Sequence, residues 1–169
     1  MNTKTIIEQL PFSIPENVIT KFGDISDLSS ILDSIRLWVH YNKKINHEKR
    51  LEWHKPILNL AIENKLHVQE AKSLTNMAKI YDRLGEFGNS IKAIKKSQKI
   101  WLCKFQKNKK YHHDLVISYC DLSVTYRLQN RLDLALDTLY EGYEILKDNG
   151  IDNPGAQIIL YSDLGIIYE

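Results

Sequence analysis

The strongest constraint on the fold is a tyrosine that recurs in one local context. The copies are Tyr41, Tyr81, Tyr126 and Tyr168, at intervals of 40, 45 and 42 residues. An apolar residue stands four places before each of them: Leu37, Met77, Leu122 and Leu164. Repeats of this length are typical of helix pairs that stack into elongated arrays, because one pair cannot cover its own apolar face. The spacing therefore predicts an all-α solenoid of helical hairpins.

Each complete copy continues with a turn and a second apolar stripe. Gly85 and Asn130 follow the tyrosine by four residues, and both residue types tolerate the left-handed backbone that ends a helix. Apolar or small residues then recur at spacings of three and four, which places them on one face of a second helix. They are Ser90, Ile94, Ser97 and Ile100 in one copy and Ala135, Leu139, Gly142 and Ile145 in the next.

These residues resemble the tetratricopeptide repeat signature. The second copy carries it in Met77-Ala78, Tyr81, Leu84-Gly85, Phe87 and Ser90-Ile91, and the third in Leu122-Ser123, Tyr126, Asn130, Leu132 and Ala135-Leu136. The period exceeds the roughly 34 residues of that family and is similar to extended repeats of kinesin light chains and bacterial signalling regulators. Trp38 and Arg50 replace small residues in the first copy, and no copy has the closing proline. The resemblance implies a right-handed solenoid of antiparallel hairpins.

The same patterns predict where the elements lie. Residues 1–26 are expected to form an N-terminal cap with a short helix at Glu16 to Phe22, and 27–169 the solenoid of about 3.5 repeats. Pro56 should kink or break the second solenoid helix. The chain stops one residue after Tyr168, so we expect the repeats to continue in a longer protein. The seven expected helices are Leu28 to Lys43, His47 to Asn64, Val68 to Leu84, Phe87 to Gln106, His113 to Gln129, Leu132 to Asp148 and Gly155 to Glu169.

Composition points away from several classes of protein. The 23 basic and 21 acidic side chains leave a net charge of +2, which favours neither nucleic acid nor an anionic membrane as a partner. No apolar run has the length of a signal peptide or a membrane span, so we expect a cytoplasmic protein. Cys103 and Cys120 lack the spacing of a zinc site and are expected to be reduced and buried.

Catalytic and metal-binding patterns are missing from the sequence. His112-His113-Asp114 has no further ligand at helical spacing, and Gly85-Glu86-Phe87-Gly88 lacks the strand and the lysine of a phosphate-binding loop. There is no nucleophile elbow. We predict a protein that is not an enzyme and holds no metal or cofactor.

The resemblance implies that the first helix of each hairpin lines a concave groove for a protein or peptide. Asn76 directly precedes Met77, a place where an asparagine of this family commonly binds a peptide backbone through its donor and acceptor. Lysine, asparagine and arginine in this region suit a C-terminal carboxylate, whereas aspartates oppose it, so we expect a mixed-charge groove. The candidate groove residues are Arg36, Lys72, Thr75, Asn76, Lys79, Arg83, Asp121, Arg127 and Asp163.

Three functions fit these features. The first is a peptide-binding module that forms the N-terminal sensory or scaffolding region of a larger signalling protein, such as a histidine kinase or a diguanylate cyclase. The second is a freestanding regulator that binds a peptide pheromone. The third is self-association, with a homodimer formed through the exposed face of the last helix around Ile166 and Ile167.

Overall fold

The structure, a computed structural model, describes residues 3–19, 27–152 and 154–168. These ranges contain helices and no β-strand, so the chain is all-α where it is described. The helices are α1 (Thr3–Glu8), α2 (Glu16–Ile19), α3 (Leu28–Tyr41), α4 (His47–Glu63), α5 (His67–Arg83), α6 (Phe87–Lys107), α7 (His112–Leu128), α8 (Leu132–Asp148) and α9 (Pro154–Tyr168), with a 3-10 turn at Lys109–Tyr111.

The seven helices predicted from Leu28 onward are all present, and their ends differ from the prediction by no more than two residues. The short helix expected at Glu16 to Phe22 runs over Glu16–Ile19, and residues 20–22 lie outside the described part. The expected break at Pro56 is wrong, because α4 continues through it to Glu63. Ile57 and Ala61 are fully buried on the far side of the proline, and this packing favours an unbroken helix.

The turns confirm the conformation expected at Gly85 and Asn130. Their φ angles are 74° and 58°, in the left-handed region. The following amides then reach back to the last helical turn: Glu86 donates to the Tyr81 carbonyl at 2.8 Å, and Arg131 donates to that of Tyr126 at 2.9 Å. The turn after α3 differs, because its cap Asn42 is extended and the helix ends without a left-handed residue.

Packing follows the order of the chain. Each helix from α3 to α9 contacts the next one, and the odd-numbered helices also contact one another in the sequence α3, α5, α7, α9. Buried side chains fall into separate clusters along this row. The first cluster includes Ile6 and Phe12 from the N-terminal segment, and the ring of Phe12 stacks on that of Trp53 with centroids 4.5 Å apart.

The two cysteines lie in different environments. Cys120 is buried in α7, as predicted. The prediction for Cys103 is wrong, because that residue is exposed on α6 beside the exposed Leu102.

Gly142 marks a close approach between helices. A Cβ atom at this position would lie 3.1 Å from Cβ of Tyr119 on α7 and 3.4 Å from Cδ2 of Leu160 on α9. Gly88, in α6, has no atom within 4 Å of the same point. The glycine of α8 is therefore a packing requirement where three helices meet, whereas that of α6 is not.

We predict that Gly142→Val lowers the free energy of unfolding by about 1–3 kcal/mol, because the added methyl groups force α8 away from α7 and α9. Urea denaturation followed by circular dichroism measures this change. Gly88→Val is the matched control and should lose less than Gly142→Val. Equal losses from the two variants would mean that the helices do not approach as described.

Candidate functional site

Burial corrects the alignment of α3 with α5, α7 and α9. Ile31, Ser73, Ser118 and Leu160 are almost completely buried and fall at intervals of 42, 45 and 42 residues. On this alignment Val39, which is fully buried, takes the place of Tyr81 and Tyr126. The four recurring tyrosines therefore do not share one packing position, because Tyr41 is 71% exposed. Tyr126 is buried, Tyr81 is half-buried and the side chain of Tyr168 lies outside the described residues.

We define the odd-helix face by polar residues of the odd-numbered helices. They are Asp33 of α3, Lys72, Asn76, Lys79 and Asp82 of α5, Asp121 and Thr125 of α7, and Asp163 of α9. Two ion pairs cross between its helices: Lys72 Nζ lies 2.7 Å from Asp33 Oδ2, and Lys79 Nζ lies 3.1 Å from Asp121 Oδ1. A third contact is the hydroxyl of Thr125, which donates to Asp82 at 2.9 Å. Two lysines predicted to meet a ligand thus also join neighbouring helices.

Of two other predicted groove residues, one is buried and the other is half-buried. Arg36 is buried, and its Nε donates to Asp33 at 3.2 Å. The hydroxyl of Thr75 lies 3.1 Å from that of Ser97, which in turn donates to the Ala71 carbonyl. Thr75, which is half-buried, therefore takes part in the contact between α5 and α6.

Hydrogen-bonding capacity remains unused on the odd-helix face. Nδ2 of Asn76, Oδ1 of Asp82 and Oδ2 of Asp121 are buried and have no hydrogen-bond partner among the described residues. Such atoms are rare in folded proteins, because each costs about 1–3 kcal/mol. These three atoms on the adjacent helices α5 and α7 leave one donor and two acceptors available to a polar ligand.

Burial also raises the pKa values of three aspartates on this face. It is the largest cause for Asp82, Asp121 and Asp163 alike. Lys79 opposes it at Asp121, while a hydrogen bond with Cys120 and the charge of Arg127 oppose it at Asp163. Burial therefore disfavours the charged form of these carboxyl groups, and the neighbouring cations and hydrogen bonds offset only part of that cost.

Arg83, the remaining predicted groove residue, lines a separate cavity of about 220 Å³ with Lys79 and side chains of α3 and α4. Sequence reasoning gave Lys43 a groove position but did not bring His40, His47 and Arg50 beside it, because no local pattern relates the ends of three helices. It also missed a 420 Å³ cavity between α6 and α8, over Leu122 and Tyr126, where lysines face Asp137 and Glu141. The two helices that form it are separated in the sequence by α7, and no sequence motif relates one to the other.

Within the described ranges, no three His, Cys, Asp or Glu side chains come together as metal ligands. None of the described helices is long and apolar enough to cross a membrane.

Comparison with known proteins adds no relative. No protein-family model matches the sequence, and no curated protein matches it.

His54 is a fully buried histidine in the core of α4, in the place that Ile94 and Leu139 take in α6 and α8. Neither ring nitrogen has a partner in the described structure, and the His40 ring lies 6.1 Å away between centroids. Burial lowers the pKa of His54 from 6.5 to about 3, with smaller contributions from His40, Arg36 and Arg50. The folded protein therefore keeps this ring neutral.

We predict that stability falls as the pH is lowered from 7.5 to 5. Below pH 6.5 the unfolded chain protonates His54 and the folded chain does not, so stability present above pH 6.5 is lost, by about 2 kcal/mol for this residue at pH 5. His54→Leu should remove this part of the pH dependence and raise the free energy of unfolding at pH 7.5, because two unpartnered nitrogens disappear.

Urea denaturation across this pH range measures both effects. His113→Leu, at an exposed position of α7, is the control and should keep the wild-type pH dependence. A His54→Leu variant with an unchanged slope would assign the pH dependence to other groups.

Proposed function

We propose that the chain is a tetratricopeptide-like solenoid that binds a protein or peptide segment along the odd-helix face. The order of helix contacts supports the architecture, because α3, α5, α7 and α9 contact one another in succession and each also packs against its chain neighbours. The observation that supports binding is a group of three buried polar atoms without hydrogen-bond partners: Asn76 Nδ2, Asp82 Oδ1 and Asp121 Oδ2.

One unpartnered donor and two unpartnered acceptors suit a peptide backbone, which offers both an acceptor and a donor in each residue other than proline. The ion pairs Lys72–Asp33 and Lys79–Asp121 hold the neighbouring helices, so the face is organised before a ligand arrives. Asn76 is 8% exposed, and its side chain must rotate outward to meet a ligand. That rotation breaks no hydrogen bond of Nδ2, so this group gains a partner at little cost.

We further propose that this binding module forms the N-terminal sensory or scaffolding region of a larger signalling protein. The support is the resemblance to long-period repeats of bacterial signalling regulators. The full-length gene tests this proposal: a coding sequence that completes the repeats and continues into a catalytic signature supports it, and a gene that ends at Glu169 contradicts it.

A library of random peptides, screened against the whole chain and followed by calorimetry on the strongest binder, tests the peptide-binding proposal. We expect saturable binding that Asn76→Ala weakens roughly 5- to 100-fold, which corresponds to about 1–3 kcal/mol. Asn59→Ala is the matched control, because Asn59 is exposed on the even-numbered helix α4. The absence of any saturable binder, or equal losses in both variants, contradicts the proposal.

Self-association is a second candidate, favoured by the surface of α9. Ile158, Tyr161 and Ile166 are 63%, 56% and 48% exposed, and their spacing places them along one side of the helix. An apolar stripe of this kind suits the same stripe on a second copy of the chain.

Light scattering at increasing protein concentration tests this candidate. We predict a dimer for the wild type and a monomer for Ile166→Lys, because the lysine charge would be buried in the interface. Leu128→Lys is the control, since Leu128 has the same 48% exposure on α7, and it should stay dimeric. A wild-type chain of monomer mass at every concentration rules this surface out as a dimer contact.

A further inference from the structure

A cavity of about 220 Å³ lies where the end of α3, the start of α4 and the end of α5 meet. Four of its lining residues carry a permanent positive charge: Lys43, Arg50, Lys79 and Arg83. The others are His40, Tyr41, His47 and Ile80, so no carboxylate lines the cavity. We call it the cationic cavity.

The positive charge of the cationic cavity is mostly uncompensated. Lys79 pairs with Asp121, but Lys43, Arg50 and Arg83 form no ion pair with any described residue. The effect reaches His40, whose pKa is lowered to about 4 by burial and then by the charges of Lys79, Arg36, Arg50 and Arg83. Repulsion between these like charges raises the free energy of the protein without a ligand. A bound anion would reduce that repulsion.

Helix dipoles explain only part of this arrangement. Lys43 and Arg83 lie near the C-terminal ends of α3 and α5, where cations are favoured. Arg50 lies instead near the N-terminal end of α4, where the helix dipole disfavours a cation. Its Nη2 donates to the Asn42 carbonyl at 2.8 Å, which fixes the guanidinium beside the cavity.

Unpartnered nitrogen atoms accompany the charge: one arginine donor and two imidazole nitrogens, each a donor or an acceptor according to its tautomer. Nε of Arg50 is buried and has no hydrogen-bond partner in the described chain, and the same holds for Nδ1 of His40 and of His47. The exposed Tyr41 completes the wall, with its ring against that of His40 at 4.9 Å between centroids. Tyr41 thus lines this cavity and leaves the packing role of its repeat to Val39.

We propose that the cationic cavity binds a phosphate dianion, either free or as the phosphoryl group of a modified side chain. A carboxylate presents two oxygens and one charge, whereas a phosphate monoester presents three terminal oxygens and nearly two charges. The phosphate therefore better matches a cavity lined by four cations, three of them without an ion pair. The volume lies below the roughly 300–1,000 Å³ of pockets for whole small-molecule ligands, so it suits one compact group. This site shares Lys79 with the odd-helix face but does not require a peptide to lie along that face.

Calorimetric titration of the whole chain at pH 7.5 and low salt tests the proposal, with inorganic phosphate, N-acetyl-O-phosphoserine amide and acetate as separate ligands. We expect saturable phosphate binding that is tighter than acetate binding, with the NMR signal of the Arg50 Nε–H group shifting along the titration. Tighter binding of the phosphoserine derivative identifies a phosphorylated side chain as the source, and equal binding identifies free phosphate.

Arg50→Gln and Arg83→Gln should each weaken phosphate binding roughly 10-fold. Arg83→Gln keeps the test valid if Arg50→Gln perturbs the turn at Asn42, because Arg83 is exposed and has no ion pair. Lys92→Gln, which removes the same charge from an exposed place on α6, should bind phosphate like the wild type. No saturable phosphate binding, equal affinity for acetate, or an equal loss in Lys92→Gln overturns the proposal.

Discussion

The helices from α3 to α9 carry apolar side chains that no single helix can cover alone, and the burial of those side chains between neighbouring helices organises the described structure. Ile31 and Leu160 are completely buried at equivalent positions of α3 and α9, and the small Ser73 and Ser118 take that position in α5 and α7. Small residues are needed where helices come closest, as at Gly142 between Tyr119 and Leu160. Stacking of this kind lets the clusters of buried residues follow one another along the chain.

The desolvation of polar groups on the odd-helix face is a consequence of the same packing. Side chains next to the buried rows lose solvent when the helices approach, and burial is the first cause of the raised pKa values of Asp82, Asp121 and Asp163. Lys79 compensates part of this cost through its ion pair with Asp121. The remaining unpartnered atoms store a cost that ligand contacts would relieve.

The first repeat has a different arrangement, and its irregularities meet at one place. Val39 takes the packing position, Tyr41 turns outward, and the turn at Asn42 lacks a left-handed residue. Arg50 stands where α6 has the buried Ser90, so its guanidinium reaches the turn and not the core. The cationic cavity lies where these departures from the repeat meet. The two regular copies have a left-handed residue at the corresponding turn, Gly85 or Asn130.

The sequence by itself determined the helices, because periodic apolar stripes and turn residues such as Gly85 and Asn130 act over a few residues. The resemblance to tetratricopeptide repeats also placed Lys79 and Asp121 on one surface, and these two side chains form an ion pair between α5 and α7. Tertiary structure decided the alignment of α3, the continuity of α4 through Pro56 and the burial of Arg36, because each depends on packing against other helices. It alone brought Lys43, Arg50 and Arg83 to one cavity, since no local pattern relates the ends of three helices.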